Sequence, residues 1–522
     1  MSATEIPAAA ASAKPDAALP IPRHPGWLKA AAMLATLVQV LDMTIANVAL
    51  PHMQSALGAN QDNLSWVLTS YIVASAIALP ATGWLADHIG RRRLYLASLT
   101  GFIIASVLCG LAANLQSMVI FRVLQGLAGA FLSPLGQTVM LDSTPPEKRG
   151  QAMVLYGMGV VIGPIIGPVM GGWLTENLDW RWVFFVNVPL GLTALLGLLL
   201  FLPDVKRPSR SLDVMGLAML AIGLASLQLM LDRGQHVDWF NSLEIWAELG
   251  LAISALWMFA VHSLTSRNPL YPVEMMRDSN LLVGSVLMFI LGFVLTSAMA
   301  LLPVMLQALM SYPVMDAGWL LATRGGGVLL AMAITGRVLA RVNLRLWLAT
   351  ALAIVSLSFW DMTGWTLEIS WGAMALNGFI QGLGLGMMFV PISVISFATL
   401  SPEYRTDASG ILNLCRSVGA SAGISLVMAL LARNSATSHE DFASHLTEYS
   451  LWADPRLFAA PVDAVQVALA ALNAEVTRQA TMVAFLDDFY LMMLVAIAAM
   501  PFVLLIKPPS NASSSQEPIL ID

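Results

Sequence analysis

Leu41-Asp42-Met43-Thr44-Ile45-Ala46-Asn47-Val48-Ala49-Leu50-Pro51 closes an apolar run that begins near Trp27, and it carries a carboxylate into that run. Ionised side chains at membrane depth are costly, so they face a bundle interior or a water-filled cavity and serve a purpose there. Counted from Trp27, Asp42 lies past the midpoint and about two to three turns before Pro51. That is deeper than snorkelling to an interface explains. The stretch therefore predicts a membrane helix with a functional acid on its inner face.

The rest of the chain agrees with a membrane setting. It has 522 residues, 57% hydrophobic and 11% charged, with a mean hydropathy of +0.74. Soluble domains carry about 25% charged residues. Cys109 and Cys415 both fall inside apolar runs, which implies neither a disulfide framework nor a Cys/His metal cluster. Residues 1–25 are rich in Ala and Pro and lack the basic-then-apolar order of a signal peptide. They read as a disordered cytoplasmic tail.

Apolar runs long enough to span occur near 28–50, 64–86, 94–112, 117–140, 151–173, 182–203, 214–231, 244–264, 281–303, 314–336, 344–361, 371–398, 408–431 and 486–506. Fourteen spans put both termini on one side. If that side is cytoplasmic, its segments collect most of the 26 Lys/Arg, among them Arg91, Arg92, Arg93, Lys148, Arg149, Lys206, Arg207 and Arg210. The opposite segments hold Arg181, Arg233, Arg433, Arg456 and Arg478, while Arg122, Arg324 and Arg416 lie inside spans. The positive-inside rule is satisfied with both ends in the cytoplasm. Most connections are short. The exception, 432–485, is expected to be external, with an amphipathic helix around Val462–Phe485 lying on the bilayer or on a partner.

Four motifs stand on this frame. Gly83-Trp84-Leu85-Ala86-Asp87-His88-Ile89-Gly90-Arg91-Arg92-Arg93 joins spans 2 and 3, with two glycines for a tight turn and Asp87 able to cap a helix or pair with Arg91. In span 4, Arg122, Gln125, Gly126 and Gly129 share one helix face, which suggests close approach beside a polar cavity. In span 5, Gly159, Gly163, Gly167 and Gly171 repeat every four residues, a smooth stripe for a neighbouring helix. Pro164 and Pro168 add a bend on an adjacent row, and Gly172 follows. Trp180-Arg181-Trp182, with Phe184, Phe185, Asn187, Pro189 and Gly191, opens span 6.

The Gly-x3-Asp-x2-Gly-Arg-Arg spacing resembles the signature loop of the major facilitator superfamily. The glycine stripe with its Gly-Pro pairs resembles the antiporter motif of facilitator-type drug exporters, and the opening stretch resembles the first-helix motif of the fourteen-span drug:proton antiporters. Together these resemblances cover nearly the whole chain. They imply an all-α polytopic membrane protein of the major facilitator fold, with two six-helix halves and two additional helices inserted between them.

On that reading, 27–203 is the first half, 204–279 a linker with the two inserted helices, 280–506 the second half and 507–522 a cytoplasmic tail. The substrate site is then expected at the midplane between the halves. Asp42 and Arg122 would couple to protons, with Asn47 and Gln125 beside them in the cavity. Gly83, Asp87, Gly90, Arg91 and Asp142 would form a latch on the cytoplasmic side. The stripe of Gly159, Gly163, Pro164, Gly167, Pro168, Gly171 and Gly172 would seal the halves. In the second half, Gly336-Arg337-Val338-Leu339-Ala340-Arg341 lacks an acid at 340, so its latch is degenerate.

No Gly-Lys dipeptide occurs, which excludes a P-loop of the usual kind. No cofactor, no metal and no enzymatic role is expected. The implied function is proton-driven export of varied small lipophilic compounds across a bacterial inner membrane, with no nucleic-acid partner. The 30 methionines suit an adaptable cavity. A dedicated exporter of one metabolite, such as an aromatic acid or siderophore, is the alternative, and a non-transport sensor a remote one. Resemblance to permeases of three-component Gram-negative pumps adds an expected periplasmic adaptor and outer-membrane channel, met through 432–485.

Overall fold

The structure is a computed structural model that describes residues 24–145, 148–204, 211–235, 237–339, 341–445 and 462–507. Fourteen helices are long and apolar enough to cross a membrane. They are numbered here as spans: 1 Pro25–Ala56, 2 Trp66–Ile89, 3 Arg91–Gly110, 4 Leu115–Asp142, 5 Arg149–Asn177, 6 Trp182–Phe201, 7 Val214–Arg233 and 8 Leu243–Thr265. Spans 9 to 14 are Ser279–Leu309, Met315–Val338, Leu344–Met362, Trp371–Ser396, Pro402–Ser444 and Leu469–Leu504. Among the described residues there is no strand.

Local sequence sets where these helices start and bend. Asn114 and Ser117 form a reciprocal capping box at the start of span 4. Asp278 caps span 9 and Ser370 caps span 12. Pro80 sits in a 3-10 turn that interrupts span 2. Gly90, at φ +98°, ends one helix and begins the next, a conformation that disfavours any side chain with a Cβ. The Gly83–Arg93 turn is tight for that reason.

Where two helices cross in a membrane without a hydrophobic drive between them, small residues let the backbones meet. A Cβ built at Gly163 would lie 2.8 Å from Val40 Cγ1. One at Gly167 would lie 2.1 Å from Thr44 Oγ1 and one at Gly171 3.2 Å from Ile45 Cγ2. The stripe thus clamps span 5 onto span 1 inside the first half, rather than sealing the halves against each other as expected, and a Cβ at Gly172 meets nothing within 4 Å. In the second half the same device joins spans 9 and 13, where a Cβ at Gly292 would lie 2.1 Å from Arg416 O and one at Gly419 2.1 Å from Phe289 O.

The inserted pair is placed unequally. Span 7 packs against span 2 and span 13, with Gln228 Nε2 donating to Ser421 Oγ at 2.6 Å and Ser425 Oγ to Leu231 O at 2.5 Å. Span 8 packs mainly on span 7 and leaves Trp246, Leu251, Ile253 and Trp257 on the outer surface. Span 7 therefore bridges the halves and span 8 faces lipid. His24 against Phe201, Asn280 bonded to Lys507 O and Arg345 bonded to Ile506 O gather the first and last described residues at one end of the bundle. That end also carries Arg91–Arg93 and is called the basic end below.

One expectation is corrected. The pattern around Val462–Phe485 does not form a separate amphipathic helix on the bilayer. It is the start of one helix, Val462–Leu504, of 43 residues. Its neighbour runs unbroken from Arg405 to Ser444, 40 residues. At 1.5 Å per residue each is roughly 60 Å long, about twice the hydrocarbon thickness. Neither extension contains proline or glycine, so nothing stops the helix at the membrane edge. Their polar residues satisfy one another: Ser435 meets Thr481 at 2.9 Å, Asn434 donates to Asp487 at 3.2 Å, and His439 meets Asn473 at 3.0 Å. The result is a projecting helical hairpin. Its tip lies outside the described residues, as do the predicted terminal tails up to residue 23 and from 508 onward.

Candidate functional site: a buried acid and an interlocked basic end

Asp42 projects from span 1 into the interior of the first six helices and is fully buried. Arg122 Nη1 donates to its Oδ2 at 2.7 Å. Gln125 Nε2 and Asn187 Nδ2 donate to Oδ1 at 2.9 and 2.7 Å. Arg122 and Gln125 reach the same carboxylate because three residues place them on one face of span 4.

Arg122 is held from several sides. Its Nη1 also donates to Gln125 Oε1 at 2.8 Å, and its Nε donates to Val67 O at 2.9 Å. Its guanidinium lies 4.5 Å from the Tyr71 ring centroid and 5.6 Å from that of Phe184, both within cation–π range. Asn187 is steadied by Ser106 Oγ at 3.1 Å, and Ser106 in turn donates to Phe184 O at 2.9 Å. Spans 1, 2, 3, 4 and 6 all contribute. A buried ion pair of this kind stands only when its spare hydrogen-bonding capacity is filled. Here it is filled by the side-chain amides of Gln125 and Asn187 and by the backbone carbonyl of Val67.

The sequence-predicted cavity residues are therefore only partly brought together. Asp42, Arg122 and Gln125 converge, whereas Asn47 is exposed and contributes nothing to the cluster. Asn187 takes the place expected for Asn47. It was visible only as part of the pattern that opens span 6; a polar amide followed by a long apolar run was the available signal.

At the basic end, Asp142 binds two arginines. Arg91 Nη1 lies 2.5 Å from Oδ2 and Arg405 Nη1 2.7 Å from Oδ1. Arg91 and Asp142 are the expected latch pair, and Arg405, at the start of span 13, makes the latch a bond between halves. Gly83 is needed for another reason. A Cβ there would sit 1.6 Å from Asp407 Oδ1, so the first turn of span 13 is seated on it. Asp87 is half-buried in the same short helix as Gly83, and Gly90 supplies the turn. Arg405 and Asp407 escaped the sequence reading, because each gains meaning only from contacts across the halves.

Next to this latch the halves interlock. Ser409 Oγ donates to Gln137 Oε1 at 2.6 Å, and Asn413 Nδ2 to the same oxygen at 3.1 Å. Tyr156 OH reaches Asn413 Oδ1 at 3.4 Å. The far face of span 5 meets span 10, where a Cβ at Gly325 would fall 2.1 Å from Ile165 Cδ1. The basic end is closed.

Span 13 contains Gly419-Ala420-Ser421-Ala422-Gly423, which has the spacing of a hydrolase nucleophile elbow. That motif requires a strand-to-helix turn. Here it lies within a continuous helix, and Ser421 Oγ accepts from Gln228. The spacing serves helix contact.

The sequence profile described as Major Facilitator Superfamily matches residues 32–423. The chain belongs to that family. Membership makes it a membrane transporter rather than an enzyme. It is 34% identical over 426 residues to the multidrug export protein EmrB of Haemophilus influenzae, covering 81% of this chain and 84% of that one. It is 34% identical over 496 residues to the fatty acid resistance protein FarB of Neisseria gonorrhoeae, covering 93% and 97%. It is 35% identical over 420 residues to EmrB of Escherichia coli K12, covering 80% and 82%. Among solved structures, the family's proton:xylose symporter XylE superposes with a TM-score of 0.61 at 14% identity, over 93% of this chain and 96% of that one. The likeness to XylE concerns the fold alone.

Proposed function

We propose that the chain is a proton-driven exporter of varied lipophilic compounds, working by alternating access in a bacterial inner membrane with both termini cytoplasmic. The observation that carries the reading is the Asp42 carboxylate, fully buried and bonded to Arg122, Gln125 and Asn187. A protonated Asp42 no longer balances the charge of Arg122, so protonation is tied to rearrangement of the whole cluster. In the proposed cycle Asp42 gives its proton to the cytoplasm, substrate enters between the halves, the molecule rocks, and external protonation releases the substrate. Arg122 couples the proton to the cluster. The stripe from Gly159 to Gly171 holds span 5 against span 1 within the first half, and the bonds of Asp142 to Arg91 and Arg405 hold the cytoplasmic end shut in this conformation.

Support for broad substrate range comes from the relatives named as multidrug export proteins. The FarB name supports a narrower alternative, a dedicated exporter of one class of acid. Proteoliposomes with an imposed pH gradient test the main reading. Gradient-driven ethidium movement is expected for the native chain and its loss for Asp42→Asn; equal movement in both removes Asp42 from coupling.

A further inference from the structure

Span 10 carries a second buried arginine that the Asp42 cluster does not use. Arg324 is 2% exposed, and its Nε, Nη1 and Nη2 all lack a hydrogen-bond partner. Arg122, at similar burial, bonds to Asp42, Gln125 and Val67. Arg324 stands about ten residues into the helix Val314–Val338, roughly 15 Å along its axis. That depth limits escape of the guanidinium by snorkelling.

Span 12 pins it there. A Cβ built at Gly382 would fall 2.1 Å from Arg324 O, and one at Gly378 4.0 Å from Arg324 Cβ. Thr323 Oγ1 donates to Ala375 O at 3.2 Å. The backbone at Arg324 is therefore locked against a neighbour with no room for a side chain between them.

The arginine borders a narrow cleft that, with its side chains as they stand, has room for little more than a water molecule. Leu306, Leu320, Met362, Trp365, Met374 and Asn377 line it. Asp361, at the end of span 11, does not neutralise the arginine. Its Oδ2 accepts from Asn377 Nδ2 at 2.8 Å and from Trp365 Nε1 at 3.2 Å, and no bond reaches Arg324. A buried guanidinium with five free N–H donors and apolar walls is an arrangement that asks for an incoming anion.

We propose that this cleft binds an organic anion with an apolar body, a lipophilic carboxylate, whose two oxygens pair with the Arg324 guanidinium. The planar fork of arginine matches a carboxylate in two parallel bonds. Met362 and Met374 can shift to admit bodies of different shape, and Trp365 offers a flat face for a ring. The site lies wholly among spans 9 to 12, so it is separate from the Asp42 cluster and goes beyond the export reading.

Binding is measured without transport, on the purified full chain in lipid nanodiscs by equilibrium dialysis. The probes are 2-naphthoate and the neutral 2-naphthalenemethanol. The native chain is expected to hold the acid at least about tenfold more tightly than the alcohol, a difference of about 1.4 kcal/mol. Arg324→Gln should lose that preference and keep binding the alcohol, while Met374→Trp, which fills the cleft, should weaken both. Equal affinity of the native chain for acid and alcohol, or no binding of either, overturns the proposal even if no variant folds. Retention of the preference by Arg324→Gln overturns it as well. Ethidium movement retained by Asp42→Asn, which overturns the coupling role of Asp42, leaves this result untouched.

Discussion

Asp142 places one carboxylate oxygen against Arg91, 51 positions before it, and the other against Arg405, 263 positions after it. One acid thus ties the loop between spans 2 and 3 to the second half. With its side chain only 6% exposed, it is shielded enough for these bonds to matter more than a surface ion pair. Asp142→Asn is expected to loosen the closed basic end. In a background without Cys109 and Cys415, maleimide labelling of Ser409→Cys should rise several-fold when Asp142→Asn is added. Unchanged labelling would show that the end stays closed without the Asp142 bonds, through remaining contacts such as that of Asn413 with Gln137.

The Asp42–Arg122 pair gives a stability test. Removing one partner strands the other charge in a site of no exposure, a loss of about 3–5 kcal/mol for buried pairs. Asp42→Leu and Arg122→Leu should each lower the unfolding midpoint in detergent markedly. The double variant should lose less than the sum, since no unpaired charge remains. Additive losses would mean that the two charges do not depend on one another.

The stripe on span 5 contains its own control. Gly167→Ala would force a Cβ to within 2.1 Å of Thr44 Oγ1, whereas Gly172 has nothing within 4 Å of its built Cβ. Gly167→Ala should reduce both folded yield and ethidium export, and Gly172→Ala should leave both near native values. Equal behaviour of the two would show that span 5 does not rest on span 1 as described.

We propose that the projecting hairpin docks a periplasmic adaptor leading to an outer-membrane channel, a role that its two long helices suit. Deletion of 440–480, rejoined by a short linker, should preserve folding and transport in proteoliposomes but abolish resistance in intact cells. Full resistance in such cells would remove the adaptor role.

Much of this molecule was legible because a membrane imposes strong rules on sequence. Long apolar runs and the placement of Arg91–Arg93 located the helices, and glycines every fourth residue announced the contact of span 5. Asp42, Arg122 and Gln125 were readable because polar groups within apolar runs stand out. Asn187 was less readable, since it opens its run, and Asn47 stands exposed, outside the Asp42 cluster. Arg405 and Asp407 precede an apolar run, and only the tertiary contacts with Asp142 and Gly83 disclose their part. The hairpin was misread because polarity marks where the membrane ends, while breakers mark where a helix ends. After Gly423 the span 13 helix meets no breaker.

The central claim is that Asp42 carries the transported proton. The direct measurement is substrate-induced proton release from the purified chain in weakly buffered detergent, followed with a pH indicator, for the native protein and Asp42→Asn. Addition of tetraphenylphosphonium or ethidium should release protons from the native chain and none from the variant. Equal release from both would contradict the account and assign coupling to another acid.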